Sequence, residues 1–140
     1  MPVFCGSAKR DIGTKRLMEF IINVAPGPLK APAFLSTEGE EIRADEAAPA
    51  VAFIFKSQIE QHIGEISYLR VIRGKITEGM ELLNTRTGNK EKLSQLFAVA
   101  GKNRIKVTEL AAGDIGCTVK LKGTRTNDTL SALSLIHISE

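Results

Sequence analysis

Long apolar runs are missing from this chain: nowhere in its 140 residues is there a stretch near the roughly 18 consecutive apolar residues a membrane-spanning helix needs. No anchor of that kind is present, and a soluble protein is expected. Cysteine is scarce, with Cys5 and Cys117 the only two. That is too few for a disulfide framework, and each lies in an apolar run where a thiol serves as a small hydrophobe, which fits a reducing cytoplasm. Residues 1–20 lack the uninterrupted apolar core of a signal peptide, because charges break them up. His62 is the only histidine before the extreme C-terminus. No nucleophile, cysteine or second ligand converges on it in sequence, so a polar loop histidine is expected and neither a metal site nor a catalytic residue. A phosphate-cradling G-x-x-x-x-G-K-[S/T] loop is also missing, since neither residues 6–15 nor Gly101-Lys102-Asn103 has its spacing.

What is present is an ordinary globular composition, 43% hydrophobic and 25% charged, of a length that suits one domain and at most part of another. The net charge of +3 is unevenly placed. Residues 51–130 hold thirteen Lys and Arg against eight Asp and Glu, whereas residues 38–46 hold five acids and one base. The basic surplus permits contact with an RNA backbone through counterion release, but it falls well short of the dense basic face of a DNA binder.

Periodicity divides the chain. Pro2 to Cys5 is a short apolar run expected to end a buried strand, with Gly6-Ser7-Ala8 as the turn that leaves it. Leu17, Phe20, Ile21 and Val24 then recur at i, i+3, i+4 and i+7, which predicts a helix over residues 14–24, capped by Thr14 and stopped by Pro26-Gly27-Pro28. One strand and one helix cannot bury that stripe alone, so residues 1–28 read as the end of a larger α/β domain. Residues 29–48, proline-bearing and acidic, read as a linker. From residue 49 to 130 short strands alternate with glycine-bearing turns. Ile115, Cys117, Val119 and Leu121 alternate with Gly116, Thr118, Lys120 and Lys122, predicting one buried and one wet face. Val51, Phe53 and Phe55 alternate similarly, and Thr87-Gly88-Asn89 fits a hairpin turn. Five or six such strands predict a mainly β fold, an antiparallel β-barrel, because closure removes exposed edges.

Few residues carry chemistry. A backbone N–H from the turn Ser7-Ala8-Lys9 can hydrogen-bond the O6 of guanine, which adenine lacks, and leaving such a bond unmade costs about 1–3 kcal/mol. The tripeptide equally suits an ordinary strand-to-helix turn. Asn89-Lys90-Glu91-Lys92 imitates a guanine-selective Asn-Lys-x-Asp motif but has Lys92 where Asp is required. Lys102, Arg104 and Lys106 alternate along one face of a predicted strand, where they either meet RNA phosphates or are simply solvated.

Taken together, Pro2-Val3-Phe4-Cys5-Gly6-Ser7-Ala8, the helix with Leu17-Met18, the stretch Gly64-Glu65-Ile66-Ser67-Tyr68-Leu69-Arg70-Val71-Ile72-Arg73-Gly74, Gly79, Ala112-Gly113-Asp114-Ile115 and Thr126-Asn127-Asp128-Thr129-Leu130 resemble translation elongation factor G. The resemblance runs from about residue 2 to residue 130. It implies the last guanine-contacting motif and final helix of a P-loop G domain, then the β-barrel second domain of a translation factor. By the same resemblance Ser7 and Ala8 face guanine with Lys9 beside the base. The whole protein would use GTP or GDP with magnesium to drive ribosomal translocation, and the barrel would dock on small-subunit ribosomal RNA. This chain without its phosphate-binding loop would be inactive alone. Lys120 and Asn127 stand where the family often has glycine, and Gln61 where a proline is common. A ribosomal-protection protein of the same superfamily and a free-standing RNA- or ribosome-binding barrel are the other readings. Residues 131–140 depart from the family. Leu133 to Glu140 back-translate, with permitted codons, to a transposon-end sequencing adapter, so the tail is expected to be artefactual and the chain a fragment.

Overall fold

The computed structural model describes residues 1–36 and 39–132, so the tail from residue 133 lies outside the described residues. Among the described residues one α-helix, α1 (Thr14–Val24), precedes twelve strands: β1 (Phe34–Leu35), β2 (Glu41–Ile42), β3 (Val51–Glu60), β4 (Gly64–Arg73), β5 (Lys75–Thr77), β6 (Glu81–Asn84), β7 (Lys90–Lys92), β8 (Leu96–Ala100), β9 (Asn103–Val107), β10 (Glu109–Ala111), β11 (Ile115–Val119) and β12 (Thr129–Ser131). Eight of them form one antiparallel sheet in the order β7-β6-β12-β3-β4-β11-β8-β9, and β1–β2 and β5–β10 pair separately. The count exceeds the expected five or six because short strands such as β5, β7 and β10 show no period of their own.

The sheet curls around one interior. Ala52 and Ile54 of β3, Leu69 and Val71 of β4, Ile76 of β5, Leu82 of β6, Leu96 of β8, Leu110 of β10 and Leu130 of β12 join one buried cluster with Leu93 and Leu121. Strands from both halves of the sheet order therefore share a core, which is the barrel arrangement. Each valine, leucine or isoleucine among them contributes about 1.5–3 kcal/mol by leaving water.

The alternation in β3 and β11 has a different meaning from the one expected. Ala52 and Ile54, not Val51 and Phe53, enter the main core; Val51 packs outside it with Ile42, Ile72 and Phe53, and Phe55 is exposed. In β11, Gly116, Cys117, Thr118 and Val119 are all buried while Ile115 is 54% exposed. The reason is that β11 lies between β4 and β8, with Cys117 and Val119 covered on the outer face by Ile66, Tyr68, Phe97 and Val99. Two buried faces replace one. Residues 29–48, expected as a linker, contain the β1–β2 ladder, and Ile42 at its end is fully buried. Ser131 and Ala132, expected with the tail, belong to the sheet: Ser131 pairs with Val51 and Leu83, and the Ala132 N–H donates to Ala50 O at 2.9 Å.

The turn at residues 111–114, which begins the Ala112-Gly113-Asp114-Ile115 stretch, is fixed from three sides. The Asp114 carboxylate accepts the Ala111 N–H at 2.9 Å, the Gly113 N–H donates to Val71 O at 2.7 Å, and the Val71 N–H donates to Asp114 O at 2.9 Å. Gly113 has φ 96°, and a Cβ there would lie 2.4 Å from the Pro28 ring, so only glycine fits. This contact seats the segment after α1 against the barrel.

The N-terminal piece is otherwise thinly covered. The run at residues 2–5 belongs to no strand, contrary to expectation, because the described residues offer it no neighbouring strand; instead the Phe4 ring sits 4.9 Å from that of Phe20. Leu17 is 43% and Val24 60% exposed. Helix α1 begins after Gly13, and no side chain caps it. Thr14, expected as the cap, is already helical and turns its hydroxyl to the Asp11 carboxylate.

Two outcomes are expected. Limited proteolysis followed by mass spectrometry should cut within residues 1–30 well before the barrel, since local opening follows sparse burial. Equal protection of both halves would contradict this. Lys120 and Asn127 also adopt φ 62° and 72° without being glycine. Lys120→Gly should therefore stabilise the chain by up to about 1 kcal/mol in urea denaturation, and Asn127→Gly by less, because asparagine tolerates this region better.

Candidate functional site

The turn at Ser7 is closed by a two-residue exchange: the Ser7 N–H donates to Ile12 O at 2.9 Å and the Ile12 N–H to Ser7 O at 3.1 Å. The Arg10 N–H also donates to Ser7 O, at 3.1 Å, completing a single 3-10 turn over Ala8–Arg10. Gly13 at φ 78° brings the chain back so closely that a Cβ there would meet Cys5 O at 2.8 Å. The loop borders an open depression of about 220 Å³ lined by residues including Phe4, Ser7, Ala8 and Leu17. Ser7 and Ala8 are thus brought together at its rim, while Lys9 is exposed. The Ala8 N–H has no acceptor within the described residues. An unpaired donor in a tight turn beside a cavity can receive a hydrogen-bond acceptor such as a carbonyl.

The strand cations are in a different state from the one their spacing suggested. Arg104 is paired with Glu60, and Lys106 Nζ lies 2.9 Å from Glu78. Of the three, only Lys102, in the turn before β9, has no acidic partner among the described residues. Burial pushes the Cys117 thiol up, with Arg104 partly opposing it, so Cys117 behaves as a hydrophobe. Cys5 is exposed rather than in an apolar strand.

Periodicity did not point to a buried polar cluster that holds the loop at residues 120–128. Asp128, whose side chain is 3% exposed, receives Arg86 Nε at 2.6 Å, Arg86 Nη2 at 2.9 Å, Asn84 Nδ2 at 2.9 Å and the Arg125 N–H at 2.8 Å. Glu91 accepts the Lys122 N–H at 2.9 Å, the Gly123 N–H at 2.8 Å and the Thr124 hydroxyl at 3.1 Å. Burial alone would raise the Asp128 pKa, but Arg86, Asn84 and the Arg125 N–H together hold it below its usual value.

Loop, helix and barrel follow one another in this order, and comparison with known proteins is specific. The family model "Elongation factor G domain 2" matches residues 49–133, so the chain belongs to that family. An elongation factor G from Fervidobacterium nodosum is 38% identical over 133 residues, and elongation factor G 1 from Bdellovibrio bacteriovorus is 36% identical over 135 residues. Each alignment covers 92% of this chain, which spans 19% of the length of these relatives. A crystal structure of a Thermus thermophilus protein superposes with a TM-score of 0.64 at 28% identity, covering 88% of this chain and 16% of that one.

A carboxylate with a depressed folded pKa adds stability that is present above its unfolded value near 3.9 and lost as pH falls through the folded one. Asp128→Asn should therefore cost about 2–3 kcal/mol at pH 7 in urea denaturation. The gap to wild type should narrow once the pH is brought below the unfolded carboxylate value near 3.9. An equal gap at both pH values would contradict the role given to the ionised carboxylate.

Proposed function

We propose that the chain is part of a GTP-dependent ribosomal translocation factor and that its barrel couples nucleotide state to docking on small-subunit ribosomal RNA in the cytoplasm. The observation that carries this reading is the alignment with elongation factor G over 92% of the chain.

In this reading Ser7, Ala8 and Lys9 face guanine, and the unpaired Ala8 N–H selects its O6. Lys9 lies beside the base. These residues suit the base only. Neither phosphates nor magnesium find a matching residue set in this sequence, because the G-x-x-x-x-G-K-[S/T] spacing is missing. GTP chemistry therefore belongs to the longer protein, and this chain contributes base selectivity and the docking barrel. Of Lys102, Arg104 and Lys106, first considered for RNA contact, Lys102 is the one whose charge is not balanced, since Glu60 and Glu78 already neutralise the other two.

Two measurements test the proposal. A pure sample should hydrolyse GTP no faster than background; turnover above background would place phosphate chemistry within these residues. The chain should also co-sediment with purified small ribosomal subunits and be displaced by full-length elongation factor G. Failure to co-sediment, or retention in the presence of excess full-length factor, would overturn the docking role.

A further inference from the structure

We infer that the face formed by Lys90, Lys92, Lys120 and Lys122 is the phosphate-binding surface through which this barrel holds RNA. This rests on the ribosome-docking reading above and goes beyond it by naming a residue set that spacing alone did not select.

The four lysines come from two separate segments and line one depression of about 340 Å³, together with Glu81, Glu91 and Ser94. All four are exposed, and none has an ion-pair partner among the described residues. Buried Glu91 is what brings them together. It alternates with Lys90 and Lys92 along β7, so its inward position sends both of its neighbours outward. Its carboxylate then takes the N–H groups of Lys122 and Gly123, drawing the second lysine pair alongside the first. Both Glu91 oxygens are engaged by these bonds and by Thr124, which leaves its charge beneath the lysines rather than paired with them. Glu81 stands opposite Lys92 in the β6–β7 ladder without forming an ion pair.

Lysines on an edge strand also discourage pairing with another chain, and β7 is an edge of the sheet. That explains Lys90 and Lys92. It does not explain Lys120 and Lys122, which lie outside the ladder, nor why Lys120 occupies φ 62°, a conformation that penalises every residue with a Cβ. A cluster of unpaired cations from two segments around one concavity suits consecutive phosphates of an RNA backbone, whose charge is held mainly by lysine and arginine. The β9 cations are a weaker candidate, because two of the three are already neutralised.

The test measures binding of the 140-residue chain to purified small ribosomal subunits across a salt series. The variants are Lys90→Gln/Lys92→Gln/Lys120→Gln/Lys122→Gln, the charge-preserving Lys90→Arg/Lys92→Arg/Lys122→Arg, and, as a control, Lys30→Gln at an exposed lysine outside the barrel strands. The quadruple variant should bind at least about tenfold more weakly, and its plot of log affinity against log salt should be shallower by about two to three units. The arginine variant and Lys30→Gln should stay within about twofold of wild type, the arginine result showing that charge is what matters. Wild-type binding with an unchanged affinity and slope in the quadruple variant would overturn this inference and leave ribosome docking standing. Loss in the arginine variant equal to that in the quadruple one would also overturn it. Absence of wild-type binding would overturn both readings.

Discussion

Two buried carboxylates organise the barrel's polar end. Glu91 of β7 and Asp128 at the end of the loop at residues 120–128 between them accept three of the loop's backbone N–H groups along with donors from Thr124, Arg86 and Asn84. A buried carboxylate is tolerated only when its lone pairs are used, and a loop lying over a core is tolerated only when its N–H groups find acceptors. Each requirement meets the other here. Loss of either carboxylate would leave unpaired donors in a low-dielectric setting, so the interaction constrains register as well as stability. With the loop fixed, the Asp128 carbonyl accepts the Ile54 N–H and the Asn127 N–H donates to Ile54 O, joining the polar end to the hydrophobic core through β3.

How much of this was legible in the sequence depended on the range of the interaction. Helix α1 was readable to the residue because its stripe is a local, 3.6-residue signal, as was the hairpin turn at Thr87-Gly88-Asn89 between β6 and β7. The assignment of faces was not readable. Period 2 states that alternate residues differ, but which set enters the barrel depends on what lies on the other side of the sheet. In β3 the small Ala52 joins Ile54 inside, while Val51 and Phe53 serve a second cluster built with Ile42 from a segment that looked like a linker. The Thr14 cap failed for a local reason: Gly13 at φ 78° carries the chain into the helix, and Asp11 takes the Thr14 hydroxyl.

The candidate site divided along the same line. Ser7 and Ala8 were visible because the turn is contiguous. The cations of β9 were visible as an alternation, yet their acids are remote: Glu60 lies 44 residues from Arg104 at the end of β3, and Glu78, which meets Lys106, lies just beyond β5. Pairing across such a distance in sequence has no periodic signature. The four lysines of the β7 face fall in two short K-x-K patterns, which could have marked them, but nothing in the sequence joins residues 90 and 92 to residues 120 and 122. Only the inward turn of Glu91 does that.

The position of Lys120 bears most directly on what this barrel has been shaped to do. A left-handed backbone at that point is demanded by the path from β11 into the Glu91-bound loop, and glycine would meet the demand without strain. Lysine meets it at a cost of about 1 kcal/mol. A core position would not tolerate this charge, and a purely structural turn would gain nothing from it. In the proposed RNA contact the ammonium offsets that cost, and the depression it shares with Lys90, Lys92 and Lys122 sets the sign of the partner. Strain and unpaired charge thus coincide on a surface whose buried acid is already committed to the loop, the combination on which the proposed RNA contact rests.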